Sequence, residues 1–369
     1  MQRRDLLVGS LLAATAACTK ATAPRPNILL VIADDQSWAD AGAYGAKHVA
    51  TPAFDRLARE GVLFRHSFCA SPSCTPSRSA VLSGRHIWQV GEAGVLYGSI
   101  PPTLPLYPHL LEDTGYATGF TGKGWAPGDW KALGSTRHPC GKEYNEHRHS
   151  EPVRRGIEPG DYAANFRQFL QEKPAGKPFC FWLGCKEPHR IYDEGSGLRL
   201  GKKLEDAQVP EFLPDTPAVR SDLLDYYLEI EWYDQQLART LKVLEESGQL
   251  ENTLIVATSD NGMPFPRAKV NLYDWGVRMP LVVRWGDKLK PGSVVNDLVS
   301  HTDLAPTFLD AAGVPRPAGI AGKSLLPLLM GQADSGREQV FTAMERHTMC
   351  RPNGETYPMR SIRTRDFLY

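Results

Sequence analysis

Asn27-Ile-Leu-Leu-Val-Ile-Ala33 is an apolar run with no polar alternation. Apolar residues on both faces predict a strand buried within a parallel sheet. Comparable runs predict strands at Tyr116–Thr121, Pro178–Leu183, Thr253–Ser259 and Pro280–Trp285. Between them the apolar period lengthens to that of a helix. Thr51-Pro52 opens one helix, which runs to Glu60 and stops at Gly61. Thr51 suits the N-cap, Pro52 the first turn, and Phe54, Leu57 and Ala58 share one face. Further helices are predicted at Pro105–Thr114, Tyr162–Glu172, Leu223–Glu246 and Leu304–Ala312. In the longest, Leu224, Leu228, Leu237, Leu241 and Leu244 recur on one side. Strand and helix alternate, which predicts an α/β fold with a mostly parallel central sheet flanked by helices. Glu187 to Pro217 is polar and rich in Gly and Pro, and is expected to be a long surface loop on the rim of a site. Tyr357 to Tyr369 reads as the beginning of a strand or hairpin. Residues 24–335 are thus expected to form the main domain, and 336–369 the start of a C-terminal subdomain that the sequence leaves incomplete.

The N-terminus changes the expected compartment. Arg3 and Arg4 precede an apolar run from Leu6 to Ala17, and small residues follow. Residues 1–23 therefore read as an export signal, with the Arg-Arg order of a twin-arginine type. Thr15-Ala16-Ala17-Cys18 is a loose lipobox, so Cys18 is a candidate for lipid attachment. The expected location is periplasmic or secreted. No later apolar stretch approaches the roughly 20 residues that span a bilayer. The 369 residues carry 42 Lys+Arg against 42 Asp+Glu, a balance that argues against a dedicated nucleic-acid binder. The seven cysteines include no pair spaced for structural zinc; Cys180 and Cys185, in or beside an apolar strand, are expected as buried thiols. Others could pair in an exported protein.

In a parallel sheet, ligands gather beyond the carboxyl ends of the strands. Two predicted strands end in acids there: Ala33 runs into Asp34-Asp35 and Ser259 into Asp260-Asn261. Three carboxylates and an amide oxygen suit a hard cation such as Ca²⁺ or Mg²⁺; read singly, they are equally loop acids or caps. Cys74-Thr-Pro-Ser-Arg78 reads as a helix start. A helix N-terminus and a neighbouring Arg78 both lower a thiol pKa and both attract anions; the plainer reading is a buried Cys beside a surface Arg. Lys123, His189 and Lys269 follow predicted strands or their loops, which brings cations toward the same edge. A divalent metal with Arg, Lys and His suits a tetrahedral oxyanion. Gly119-Phe-Thr-Gly-Lys-Gly124 matches no nucleotide-binding loop.

Cys74-Thr-Pro-Ser-Arg-Ser-Ala-Val-Leu-Ser-Gly-Arg85 resembles the signature of the sulfatases, C-x-P-S-R-x-x-x-L-[ST]-G-R, at every fixed position. Pro26 to Asp35 with Trp38, Asp40 and Tyr44-Gly45, then Ser259-Asp-Asn-Gly262, and Lys269 with Tyr273, Gly276, Arg278 and Pro280, follow the same family's pattern. The resemblance spans about Pro26 to Gly331. Asn271-Leu-Tyr273 and Arg337 to Arg346 are most similar to the heparan N-sulfatase (sulfamidase) branch. The resemblance implies an alkaline-phosphatase-like fold and hydrolysis of sulfate esters or N-sulfates of sulfated glycans. It implies that a maturation enzyme oxidises Cys74 to formylglycine, whose hydrated aldehyde attacks sulfur. One calcium ion per chain is implied on Asp34, Asp35, Asp260 and Asn261, with the residue at Cys74 beside it. Arg78 would support the nucleophile, Lys123 and Lys269 would bind sulfate oxygens, and His189, with Lys269, would protonate the leaving atom. Two departures stand out. Trp125 lies where many relatives have His, and Lys186 where the sulfamidase branch often has His. Two other readings use the same residues: a phosphate or phosphonate monoester hydrolase of this superfamily, and a non-catalytic binder of sulfated glycans.

Overall fold

The computed structural model describes residues 25–332, 336–349 and 351–369. The segment with Arg3, Arg4 and Cys18 lies outside them, as does Cys350. Among the described residues, nine strands form one sheet: β1 (Asn27–Ala33), β2 (Val62–Phe68), β3 (Ala117–Gly122), β4 (Lys142–Glu143), β5 (Phe179–Gly184), β6 (Thr253–Ser259), β7 (Arg278–Met279), β8 (Leu281–Arg284) and β9 (Ser293–Ser300). β10 (Val340–Met344) and β11 (Met359–Arg363) pair as a separate antiparallel hairpin. The order is β4-β3-β5-β1-β6-β8-β2-β7, with β9 beside β2. β3, β5, β1 and β6 are consecutive and parallel, so their carboxyl ends share one edge. β8 turns the sheet antiparallel against both β6 and β2. The sheet is therefore mixed but mostly parallel, as the alternation of elements predicts.

The period of two along β1 divides the core. Ile28, Leu30 and Ile32 face one apolar layer, and Leu29, Val31 and Ala33 face the other. The first layer is closed by α2 (Cys74–Ser83), α3 (Tyr107–Asp113) and α8 (Leu304–Ala311), through Val81, Leu82, Leu111 and Phe308. The second is closed by α1 (Pro52–Glu60), α4 (Tyr162–Glu172) and α6 (Pro217–Glu246), through Phe54, Leu57, Phe166, Leu237, Leu241 and Leu244. Each such fully buried aliphatic or aromatic side chain contributes roughly 1.5–3 kcal/mol of transfer free energy. Three short helices, α5 (Ser196–Arg199), α7 (Asp274–Val277) and α9 (Leu326–Leu329), sit in connections.

The differences from the sequence reading have local causes. β2 reads Val-Leu-Phe-Arg-His-Ser-Phe, and its exposed Arg65 and half-buried His66 interrupt the apolar run. β9 buries only Leu298 to Ser300, and its Val294 and Asn296 are exposed. Neither produces the unbroken apolar signal of β1. α6 begins at Pro217, six residues before the predicted start: Thr216 accepts the N–H of Val219, and the first turn, Pro217 to Arg220, buries no residue and so presents no apolar face. The predicted rim loop holds α5, which is pinned to α6 because the Asp225 carboxylate accepts the N–H groups of Gly195 and Gly197, both at 2.7 Å. Cys69, Cys74, Cys140, Cys180 and Cys185 are all buried free thiols. Among the described residues, no helix is long and apolar enough to cross a membrane.

One carboxyl on α6 makes a testable statement. Glu229 is buried, and its Oε2 has no hydrogen-bond partner. Burial, reinforced by Glu187, pushes its pKa up from an ordinary 4.5 to about 8. The unfolded chain releases this proton first, so the stability it confers is full below about pH 4.5 and is lost as pH rises through 8. Glu229→Gln should therefore lose less stability than the parent between these limits. Unfolding midpoints measured across that range check it, and parallel curves for the two proteins would contradict a neutral buried carboxyl.

Candidate active site

β1 runs directly into Asp34-Asp35 and β6 into Asp260-Asn261. Ala33 and Ser259 are paired in register, so the two polar pairs emerge side by side. All four residues are buried. Asp35 adopts φ 80°, the left-handed region that residues with a Cβ rarely occupy. Its N–H donates to Asp260 Oδ1 at 3.1 Å, and the next N–H, of Gln36, donates to Ser259 Oγ at 2.8 Å. The neighbouring strand end thus holds the turn. Asn261 Nδ2 donates to Asp35 Oδ1 at 2.7 Å, which leaves its buried Oδ1 without any hydrogen-bond partner.

α2 brings the cysteine to this edge. All ten of its residues are buried, Cys74 is the first, and Gly84 closes the helix at φ 67°. Ser77 Oγ donates to the Asp260 carbonyl at 2.5 Å, which fixes the first turn against β6. Cys74 Sγ lies 3.5 Å from Asp34 Oδ1. Here the structure corrects the expected electrostatics. Burial, and then the charge of Asp34, push the thiol pKa up to about 12 despite Lys123 and Lys269. The expected lowering fails because burial outweighs the neighbouring cations; Arg78 is itself bound to other partners. Its Nε donates to Asp260 Oδ2 at 2.9 Å, and its Nη1 to the carbonyls of Lys123 and Gly124 at 2.7 and 2.9 Å. Only Nη2 of this fully buried guanidinium has no hydrogen-bond acceptor.

The three remaining cations close the site. Lys123 follows β3 and ion-pairs with Asp34. His189 follows β5, and its Nε2 is 3.8 Å from Asp35 Oδ2. Lys269 Nζ is 2.7 Å from the same oxygen. Burial disfavours charge on Asp34, but Lys123, Arg78, His189 and Lys269 outweigh it and hold that carboxyl well below the usual range. For Asp260, burial and the nearby Asp34 prevail and push the pKa up to about 6. The loop that carries Lys269 is strained at Arg267 (φ 64°) and Val270 (φ 70°). The N–H of Val270 donates to the Pro72 carbonyl at 2.9 Å, tying this loop to the approach to α2.

The donor set fits a hard cation. One ligand atom from each of Asp34, Asp35, Cys74 and His189 lies within 4.8 Å of the others. Ligands 2.3–2.6 Å from one Ca²⁺ are at most about 5 Å apart. Asp260 and the orphaned Asn261 oxygen border the same group, so the sequence-derived set of Asp34, Asp35, Cys74, Asp260 and Asn261 converges. Arg78, Lys123, His189 and Lys269 converge with it.

Two features escaped the sequence reading. Trp125 is a core residue, 1 % exposed, and its indole N–H donates to Ser79 Oγ at 2.7 Å. It braces the inner side of α2. His347, between β10 and β11, does reach the site: its Nδ1 is 2.9 Å from Oγ of Ser73, the residue before Cys74. Burial and Lys269 push its pKa down to about 4. No spacing rule links positions 73 and 347, and only the fold joins them.

Comparison with known proteins gives the family. The sulfatase family model matches residues 26–314, and that of the N-sulphoglucosamine sulphohydrolase C-terminal region matches residues 268–367. N-sulphoglucosamine sulphohydrolase of Homo sapiens is 34 % identical over 379 residues, covering 92 % of this chain and 72 % of that protein. An ulvan-active sulfatase of Formosa agariphila is 30 % identical over 356 residues, covering 95 % of this chain but 66 % of its own length. The chain thus spans about two thirds of these relatives. A solved structure of a protein in complex with its substrate D-glucosamine-2-N,6-O-disulfate shares the fold, with a TM-score of 0.71 at 22 % identity over 92 % of this chain and 87 % of that one. Matched by family over most of its length and by a relative above 30 % identity, the chain belongs to the sulfatase family.

Proposed function

We propose that this chain hydrolyses sulfate esters or N-sulfates of sulfated glycans, with formylglycine made from Cys74 as nucleophile and one Ca²⁺ beside it. The observation that carries the reading is the placement of Cys74 Sγ 3.5 Å from Asp34 within a ring of buried Asp35, Asp260 and Arg78 and partly buried Lys123 and Lys269. Formylglycine supplies an aldehyde hydrate whose hydroxyl can attack sulfur. Asp34, Asp35, Asp260 and the Asn261 amide oxygen would hold the Ca²⁺, which would supply positive charge to a sulfate oxygen.

The chain's own residues do the rest. Lys123 and Lys269 turn from their carboxylates to the sulfate oxygens and stabilise charge that grows as sulfur is attacked. Arg78 stays on Asp260 and directs Nη2 at the nucleophile, while its bonds to the Lys123 and Gly124 carbonyls hold the Lys123 loop. His189 Nδ1 is 2.5 Å from the carbonyl of Arg190, an acceptor only, so Nδ1 carries a proton and Nε2 faces the site. In its imidazolium form His189 would carry a second proton on Nε2 and would pass it to the leaving oxygen or nitrogen, returning to the neutral ring with Nδ1–H still on the carbonyl. His189 is the most exposed of these groups, with 40 % of its side chain accessible; that suits a donor to a bulky leaving sugar.

We further propose that the protein is periplasmic or secreted, that it depends on a formylglycine-generating partner, and that residues 24–335 form the catalytic domain. The separate β10–β11 hairpin supports taking 336–369 as the start of a C-terminal subdomain. The test is sulfate release from a panel of O- and N-sulfated oligosaccharides by protein co-expressed with a maturation enzyme. Release from sulfated glycans, faster than hydrolysis of matched phosphate or phosphonate esters, is expected. Faster phosphate or phosphonate turnover, or glycan binding with no release, would overturn the assignment.

A further inference from the structure

A cavity of about 330 Å³ adjoins the site on the side of the β10–β11 hairpin, lined by Val270, Asn271, Arg346, His347, Arg351 and Tyr357 among others. Its volume lies in the range of small-molecule sites. Two contacts tie it to the reaction centre. Val270 and Asn271 directly follow Lys269, and the side chain of Asn271 donates to the Lys269 carbonyl at 3.2 Å. His347 holds Ser73, the neighbour of Cys74. A group leaving the sulfur would therefore have this cavity beside it.

The charge of the lining is specific. Arg346 is half-buried, yet it forms no ion pair and no side-chain hydrogen bond among the described residues. Arg351 lies over the ring of Tyr357, 4.5 Å from its centroid, and its guanidinium forms no ion pair among the described residues. Two carboxylates also line the cavity: Glu345 is neutralised by Arg360, and Glu355 is exposed to solvent. A half-buried guanidinium without an acceptor costs desolvation unless an anion pairs with it. The planar fork fits carboxylate or sulfate in bidentate fashion. Tyr357 offers an apolar face to the adjoining ring.

We propose that this cavity is a subsite for an acidic group, a carboxylate or second sulfate, on the sugar next to the one that loses sulfate, with Arg346 as its main contact. This deepens the function proposed above by giving the substrate class: an oligomeric, polyanionic glycan rather than an isolated sulfated sugar.

The test separates binding from turnover. In the full chain with Cys74→Ala, a heparin-derived tetrasaccharide is titrated calorimetrically, alongside its carboxyl-reduced form and a form lacking the neighbouring sulfate. Adding Arg346→Ala should weaken binding of the parent tetrasaccharide about tenfold, and Arg346→Lys should recover part of it. The modified probe that already binds weakly, and on which Arg346→Ala has the smaller effect, identifies whether carboxylate or sulfate occupies the subsite. In the matured enzyme, Arg346→Ala should raise KM for the tetrasaccharide far more than it changes kcat. The ratio of kcat/KM between tetrasaccharide and an aryl sulfate should fall about tenfold. Equal affinities of the Arg346 variants for all three probes, with normal unfolding midpoints, would overturn the subsite. Absence of sulfate release from every substrate, with Arg346-dependent binding retained, would overturn the sulfatase reading and leave the subsite standing.

Discussion

Cys74→Ala is expected to lower sulfate turnover by about 10⁴- to 10⁶-fold, the range seen when a nucleophile that acts as part of a unit is removed. The fold should survive. Cys74 opens α2, whose position is fixed independently by the Ser77 bond to Asp260 and by Trp125 on Ser79. Its thiol makes one long hydrogen bond, to Asp34, so its loss removes no strong polar contact. Sulfate release is measured on protein matured in its host, together with the unfolding midpoint. Turnover within tenfold of the parent would remove Cys74 from the chemistry, and with it the case for the surrounding cations. Mass spectrometry of the tryptic peptide that contains position 74 gives an independent check, because formylglycine and cysteine differ in mass.

Asp260→Ala should fail in two separable ways. Asp260 accepts from Arg78 Nε and from the N–H groups of Asp35 and Asn261. Without it, Arg78 is a fully buried cation with no close carboxylate, since its approach to Asp34 is 3.9 Å. Removing one partner of a buried ion pair costs roughly 3–5 kcal/mol, and denaturant unfolding of the metal-free protein should show a loss of that order. The second effect concerns the metal. A binding set stripped of one carboxylate should lose calcium affinity by at least about tenfold, read by equilibrium dialysis without reference to activity. Retained affinity would argue against Asp260 as a ligand, and retained stability against its role as the counter-charge to Arg78.

Much of this was legible in the sequence because the informative groups lie next to strong local signals. β1 and β6 are apolar on both faces, so their ends, and hence Asp34, Asp35, Asp260 and Asn261, could be located to the residue. Lys123 and His189 follow β3 and β5, which lie in the same parallel run, so their shared edge follows from strand direction alone. The state of the thiol was not legible. A helix N-terminus and a neighbouring Arg argue for a lowered pKa, yet the burial of the thiol and the charge of Asp34 beside it reverse the sign. Nor was the work of Trp125 legible. As a departure from the family's pattern it points to the active site, whereas it belongs to the packing beneath α2. His347 had no local signal at all, because its bond to Ser73 joins two segments 274 residues apart.

That separation has a consequence for how the protein is made. Cys74 leaves the ribosome long before the hairpin that walls it in. At roughly 5–20 residues per second, about 14–55 s of synthesis separate Ser73 from His347. A side chain that ends up buried is thus open to a modifying enzyme during its own translation, until the segment that carries His347 closes over it.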